Sequence, residues 1–150
     1  MLSVFLGLGA VIAPAPAALA QSAATDPSDF VQPAGEATLA DFAWIKRPLV
    51  VFADNPADPR YVQQMQLVLE RADTLMERDV VVLTDTDPAA RSPLRLALRP
   101  RGFGFVLLAK DGTVIIRKPE PWDVREITRS IDKQPLRQQE VRDRLDTLRR

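Results

Sequence analysis

The chain has 150 residues, carries 20 basic and 20 acidic side chains for a formal charge of zero, and contains neither cysteine nor histidine. The missing residue types exclude a thiol nucleophile, a disulfide, a histidine-dependent triad, and zinc or haem sites built on cysteine or histidine ligands. Balanced charge argues against strong attraction to nucleic acid or to an anionic membrane surface.

Residues 2–13 are almost wholly apolar and lead through Pro14 and Pro16 to Ala18-Leu19-Ala20. An apolar run of about a dozen residues is too short for a bilayer core of about 30 Å, and Ala18 and Ala20 fit the small-x-small rule for signal cleavage. The expectation is an export signal over residues 1–20, cleaved after Ala20, although no basic residue precedes the apolar run. The alternative is an uncleaved interfacial anchor. With cleavage there is no membrane insertion, and the address is the periplasm or outside the cell. An exported chain without cysteine must draw its stability from packing. Residues 21–37 hold only Phe30 and Val31 as large apolar side chains, which predicts a flexible leader. One domain is expected over residues 38–150.

Leu39, Phe42 and Ile45 recur at three-residue steps and predict a short helical turn before Pro48. Leu49 to Ala53 is a continuous apolar run, as a strand covered on both faces requires. Asp58-Pro59 is an N-cap and first-turn pair opening a helix with apolar positions Val62, Met65, Leu69, Ala72 and Met76. Asp79 to Leu83 reads as a second buried strand. Ser92-Pro93 caps a short helix over residues 94–99, although Leu94, Leu96 and Leu98 also alternate as a strand would. Phe103 to Ala109 and Thr113 to Arg117 flank Lys110-Asp111-Gly112 and predict a hairpin, since Asp-Gly between apolar runs favours that turn. A helix bearing Val124, Ile127 and Ile131 ends before Pro135. The last helix, from about Leu136, has a narrow stripe of Val141, Leu145 and Leu148.

The order strand, helix, strand, short helix, hairpin, helix predicts a thioredoxin-like α/β fold: a three-layer α/β/α sandwich around a mixed sheet. The stretch Phe105 to Gly112 resembles the third strand and turn of thioredoxins. Asp54-Asn55-Pro56-Ala57-Asp58 stands where a redox member would place its reactive cysteine, and Gly104 where thioredoxins keep a cis-proline, so the redox site is expected to be absent.

More specifically, the chain resembles the domain-of-unknown-function 4174 family, a thioredoxin- and peroxiredoxin-like domain also found in animal extracellular-matrix and sushi-repeat proteins. The resemblance rests on Leu39, Phe42, Trp44, Arg47-Pro48-Leu49, Phe52-Ala53, Glu77-Arg78-Asp79, Gly102-Phe103, Lys110-Asp111-Gly112, Ile131-Asp132 and residues 135–140. Ala109 and Leu136 depart from the family's usual glycine and methionine. The resemblance implies the fold and an exported location, with extracellular binding as a looser implication.

Three other patterns compete for a function. Arg101 to Leu108 matches all but the final aromatic of the first ribonucleoprotein motif, with Phe52, Phe103 and Phe105 as possible stacking platforms. The hairpin that follows, the export signal and the balanced charge oppose RNA binding. Asp85 and Asp87 invite a hard cation, but capping of the next turn is the simpler reading. Asp54, Asp58 and Asp85, at strand carboxyl ends, are the candidates for a cryptic enzyme or a small-ligand site.

The remaining candidates, Trp44, Arg47, Arg78, Lys110, Asp111, Asp132, Arg137 and Glu140, read either as a charged, aromatic-edged patch for a partner or as ordinary salt bridges and caps. The sequence therefore predicts a non-catalytic binding or accessory module. Its partner would be an unspecified protein or cell-envelope component and not nucleic acid, and no cofactor, metal site or catalytic residue is assigned.

Overall fold

A computed structural model describes residues 29–150. The expected export signal over residues 1–20, its cleavage after Ala20, and the first part of the leader lie outside the described residues. Within those described, no helix is long and apolar enough to cross a membrane.

The strands are β1 (Val31–Pro33), β2 (Arg47–Phe52), β3 (Val80–Asp85), β4 (Gly104–Leu108) and β5 (Val114–Lys118). They form one mixed sheet in the order β1-β3-β2-β4-β5. β1 and β2 run parallel to β3, while β4 is antiparallel to both β2 and β5. Every residue of β2 is buried, which explains its unbroken apolar run from Leu49.

Helices cover both faces. α1 (Pro59–Glu70), α2 (Ala72–Met76) and α4 (Val124–Asp132) bury Val68, Leu75, Val124, Ile127 and Ile131 with Leu49, Val51, Phe103, Phe105 and Leu107. α3 (Pro93–Leu98) buries Leu94 and Leu98 on the opposite face with Val50, Phe52, Val106 and Leu108. The expected three layers are present. α5 (Pro135–Leu148) follows α4, and its stripe residues Val141, Leu145 and Leu148 are exposed.

Four local expectations are corrected. The leader is not flexible to residue 37, because β1 pairs Val31 with Val82, and the Phe30 carbonyl and Ala34 amide bond to Val82 and Thr84. This strand has no apolar run of its own; it completes the free edge of β3 and buries Phe30 and Ala34 at its ends. The expected short turn is present as the 3-10 helix Leu39–Phe42, but Ile45 lies beyond it and is exposed. The long helix breaks at Arg71, whose φ of −130° and ψ of 34° are not helical.

The inward face of α1 is also rotated from the expected one: Val62 and Leu69 are exposed, whereas Gln64 is fully buried. Its side-chain amide donates to the Trp122 carbonyl at 3.2 Å and accepts from the Trp122 amide at 2.8 Å. Two otherwise unpaired backbone groups are thereby satisfied, so a glutamine is favoured where periodicity alone asks for an apolar residue.

Candidate functional site

The partner-patch candidates converge at the amino ends of the parallel strands, where they largely neutralise one another. Arg47 opens β2 and is only 1 % exposed. Its guanidinium donates to the Arg78 carbonyl at 2.9 Å and to Glu140 Oε1 at 3.0 Å. Lys110 Nζ reaches the same Glu140 oxygen at 2.9 Å and Asp79 at 2.8 Å, while Arg137 lies 3.4 Å from the other Glu140 oxygen. Arg78 clamps Asp132 with two bonds of 2.9 Å. Burial pushes the Glu140 carboxyl up, but hydrogen bonds from Lys110 and Arg47, with their charges, hold it below the usual carboxylate range.

This network fastens α5 to β2 and to the β4–β5 turn. Arg47 and Arg137 are buried, so they are corrected from surface contacts to internal clamps. Trp44 and Asp111 remain exposed. Trp44 has a left-handed φ of 63° and donates its amide to the Lys110 carbonyl at 2.7 Å. Asp111 is held by its turn, with Thr113 donating both its amide and its hydroxyl to Oδ1. The backbone bond from Thr113, followed by the hydroxyl bond, depresses the Asp111 pKa.

The opposite pole gathers the strand carboxyl ends and the amino end of β4, because Phe52 of β2 pairs with both Asp85 and Gly104. Asp85 is buried; Ser92 Oγ donates to its Oδ2 at 2.5 Å and Arg95 Nη2 to its Oδ1 at 2.8 Å. Arg95 also donates to the Ala53 carbonyl at 3.0 Å and lies 5.3 Å from the Phe52 ring centroid. Burial raises the Asp85 carboxyl, yet the Arg95 and Ser92 hydrogen bonds and the Arg95 charge leave it depressed overall. Asp87 Oδ1 accepts from the Ala89 amide at 3.1 Å. Both aspartates thus serve as clamps and caps, as the simpler of the two readings has it.

Asp58 caps α1 by accepting the Arg60 amide at 2.9 Å, and its other oxygen takes Arg60 Nη2 at 3.0 Å. The Arg60 side-chain bond, more than its backbone bond, lowers the Asp58 pKa. Of the three strand-end carboxylates, only Asp54 has no hydrogen bond or ion pair among the described residues; a Cβ on Gly102 would lie 3.9 Å from its Oδ2. Phe52, Phe103 and Phe105 are at most 2 % exposed, so none offers a face on which a base could stack.

Beside these groups is a cleft of about 380 Å³ between the α3–β4 connection and the end of β5. Pro100 and Pro119 form its accessible apolar walls over the buried Phe52, Phe105 and Val106, and Arg99, Arg101 and Arg117 supply three cations, with Lys118 at its border. Arg117 donates to the Leu98 carbonyl at 2.8 Å, and Lys118 lies 4.6 Å from the Trp122 ring centroid. Arg99 and Arg101 are exposed, and among the described residues none of the three arginines has an acidic partner. Gly104 lets the strands close here, since a Cβ would come within 3.1 Å of the Lys118 carbonyl.

Sequence reasoning missed this cleft. Its one available signal was the hairpin register, which sets Val106 opposite Arg117 and Phe105 opposite Lys118, near Arg99-Pro100-Arg101.

A β1-β3-β2-β4-β5 sheet between helical layers, with Asp54 to Asp58 after β2 and no cysteine in the chain, defines a thioredoxin-like domain without the redox dithiol. The chain belongs to the family described as "Domain of unknown function (DUF4174)", whose model matches residues 38–140. No curated protein matches it. Among solved structures, it is similar to Plasmodium vivax 2-Cys peroxiredoxin in reduced form, at 17 % identity and TM-score 0.53, over 64 % of this chain and 81 % of that one. It is also similar to Plasmodium yoelii Prx1a, at 20 % identity and TM-score 0.50, over 65 % of this chain and 78 % of that one. At such identities the likeness is one of fold.

Proposed function

We propose that the protein is an exported, non-catalytic binding module that recognises its ligand at the carboxyl pole of the sheet. The observation that carries this reading is the cleft: apolar walls beside three arginines without acidic partners among the described residues, at the pole where open α/β sheets place their sites. The amino-pole residues give weaker support for recognition because most of their charges answer one another. The cryptic-enzyme alternative loses two of its three carboxylates, since Asp58 and Asp85 are held by arginines and caps. Export is supported by the apolar run and small-x-small pattern of residues 1–20.

The test is native mass spectrometry of the chain from Gln21 onward after equilibration with extract from its own cell envelope. The expected result is a defined mass increment, reduced by Arg101→Ala, whose ligand is released chemically unchanged. Steady conversion of the ligand would establish an enzyme instead.

A further inference from the structure

We propose that the cleft takes an amphipathic organic anion, a single anionic head on an apolar body; the assignment rests on the recognition reading above and names its ligand. Two independent observations converge. The first is charge: the amino pole sets Glu140 among Arg47, Lys110 and Arg137, whereas Arg99, Arg101 and Arg117 share one cleft with no carboxylate lining it. The chain has as many acidic as basic side chains, so this local excess is a matter of placement and not of supply.

The second is the lining. Pro100 and Pro119 are accessible apolar walls without backbone N–H donors, and the arginine stems continue them, while Phe52, Phe105 and Val106 form a buried floor beneath. A bare inorganic anion would leave that surface uncovered, and a neutral apolar molecule would leave the cations unanswered. At about 380 Å³ the space falls in the range of metabolite-sized pockets. The three cations are arginines, whose planar forks match carboxylate, sulfonate or phosphate oxygens. The side chains of Arg99 and Arg101 have no hydrogen-bond or ion-pair partner among the described residues and are assigned the anionic head; Arg117 remains on the Leu98 carbonyl.

The experiment compares two fluorescent probes with similar apolar bodies on the chain from Gln21 onward, which contains every described residue. They are 8-anilinonaphthalene-1-sulfonate and the uncharged N-phenyl-1-naphthylamine. The expected result is sulfonate binding at least tenfold tighter than neutral-probe binding, weakened by salt, and displaced by octanoate but not by equal acetate. Arg99→Ala and Arg101→Ala should each weaken the sulfonate about tenfold and leave the neutral probe unchanged, while Arg101→Lys recovers part of the loss. Unfolding midpoints of the variants verify that each is folded.

Equal affinity for the two probes, equal displacement by acetate, or sulfonate binding indifferent to both arginine variants would overturn the assignment. If a ligand is nevertheless seen by native mass spectrometry, the recognition reading survives with a different ligand class. If neither probe nor extract yields a complex, both fall.

Discussion

Glu140 is the carboxylate on which the amino-pole network turns, and replacing it by methionine is the sharpest stability experiment. Its oxygens face Arg47 at 3.0 Å, Lys110 at 2.9 Å and Arg137 at 3.4 Å, while its own side chain is 21 % exposed. Lys110 retains Asp79, and Arg137 retains Asp132 at 3.8 Å, but Arg47 is left buried with a carbonyl as its only partner. Breaking a buried pair from one side costs about 3–5 kcal/mol, and partial exposure of Glu140 places this variant near the lower end, at about 3 kcal/mol. Arg47→Met removes the buried charge itself, along with an Nε that has no hydrogen-bond partner. Its main cost is the unpaired Arg78 carbonyl, about 1–2 kcal/mol.

The predicted order is therefore that Glu140→Met destabilises more than Arg47→Met, even though arginine is the more buried partner. Urea titration followed by circular dichroism measures both, and the thermal midpoint of Glu140→Met should fall by about 10 °C for a domain of this size. A loss below about 1 kcal/mol for Glu140→Met, or the reverse order, would refute the reasoning.

Other expectations concern the same fold. Phe30→Ala should cost about 3 kcal/mol in urea unfolding if β1 is an integral strand, and a change within about 0.5 kcal/mol would return that segment to the leader. Asp85 and Glu140 are depressed in the folded chain and return on unfolding to roughly 4, so their contribution is fully present above about pH 5 and lost as pH falls through their folded values. Denaturation midpoints between pH 6 and pH 2 should show a shallower acid decline for Asp85→Asn with Glu140→Gln than for the native chain; parallel curves would contradict this. Gln64→Leu should lose about 1–3 kcal/mol by stranding the Trp122 amide and carbonyl, despite its greater apolarity. An unchanged midpoint would show that those groups find other partners.

Much of this architecture was legible in the sequence because it follows from backbone requirements. The apolar run at Leu49, the Asp58-Pro59 and Ser92-Pro93 caps, and the Asp-Gly turn each dictate an element locally, and all are present. β1 was not legible, because its partner and not its composition makes Val31–Pro33 a strand. The inward face of α1 was misread for a related reason: Gln64 is selected by the Trp122 backbone, 58 residues away in sequence. The family-pattern residues did identify a real cluster, but their types do not reveal that Arg47 and Arg137 point inward. The cleft stayed hidden because Arg99 and Arg101 precede the hairpin and Arg117 and Lys118 close it, so only the strand register brings them together.

The measurement closest to the central claim is an amide chemical-shift titration of the chain from Gln21 onward with the low-mass fraction of its own envelope extract. Saturable shifts are expected, confined to residues 99–106 and 117–119, with Trp44, Lys110, Asp111 and α5 undisturbed. Shifts centred on Trp44 and the β4–β5 turn, with the cleft silent, would contradict it and place recognition at the opposite pole.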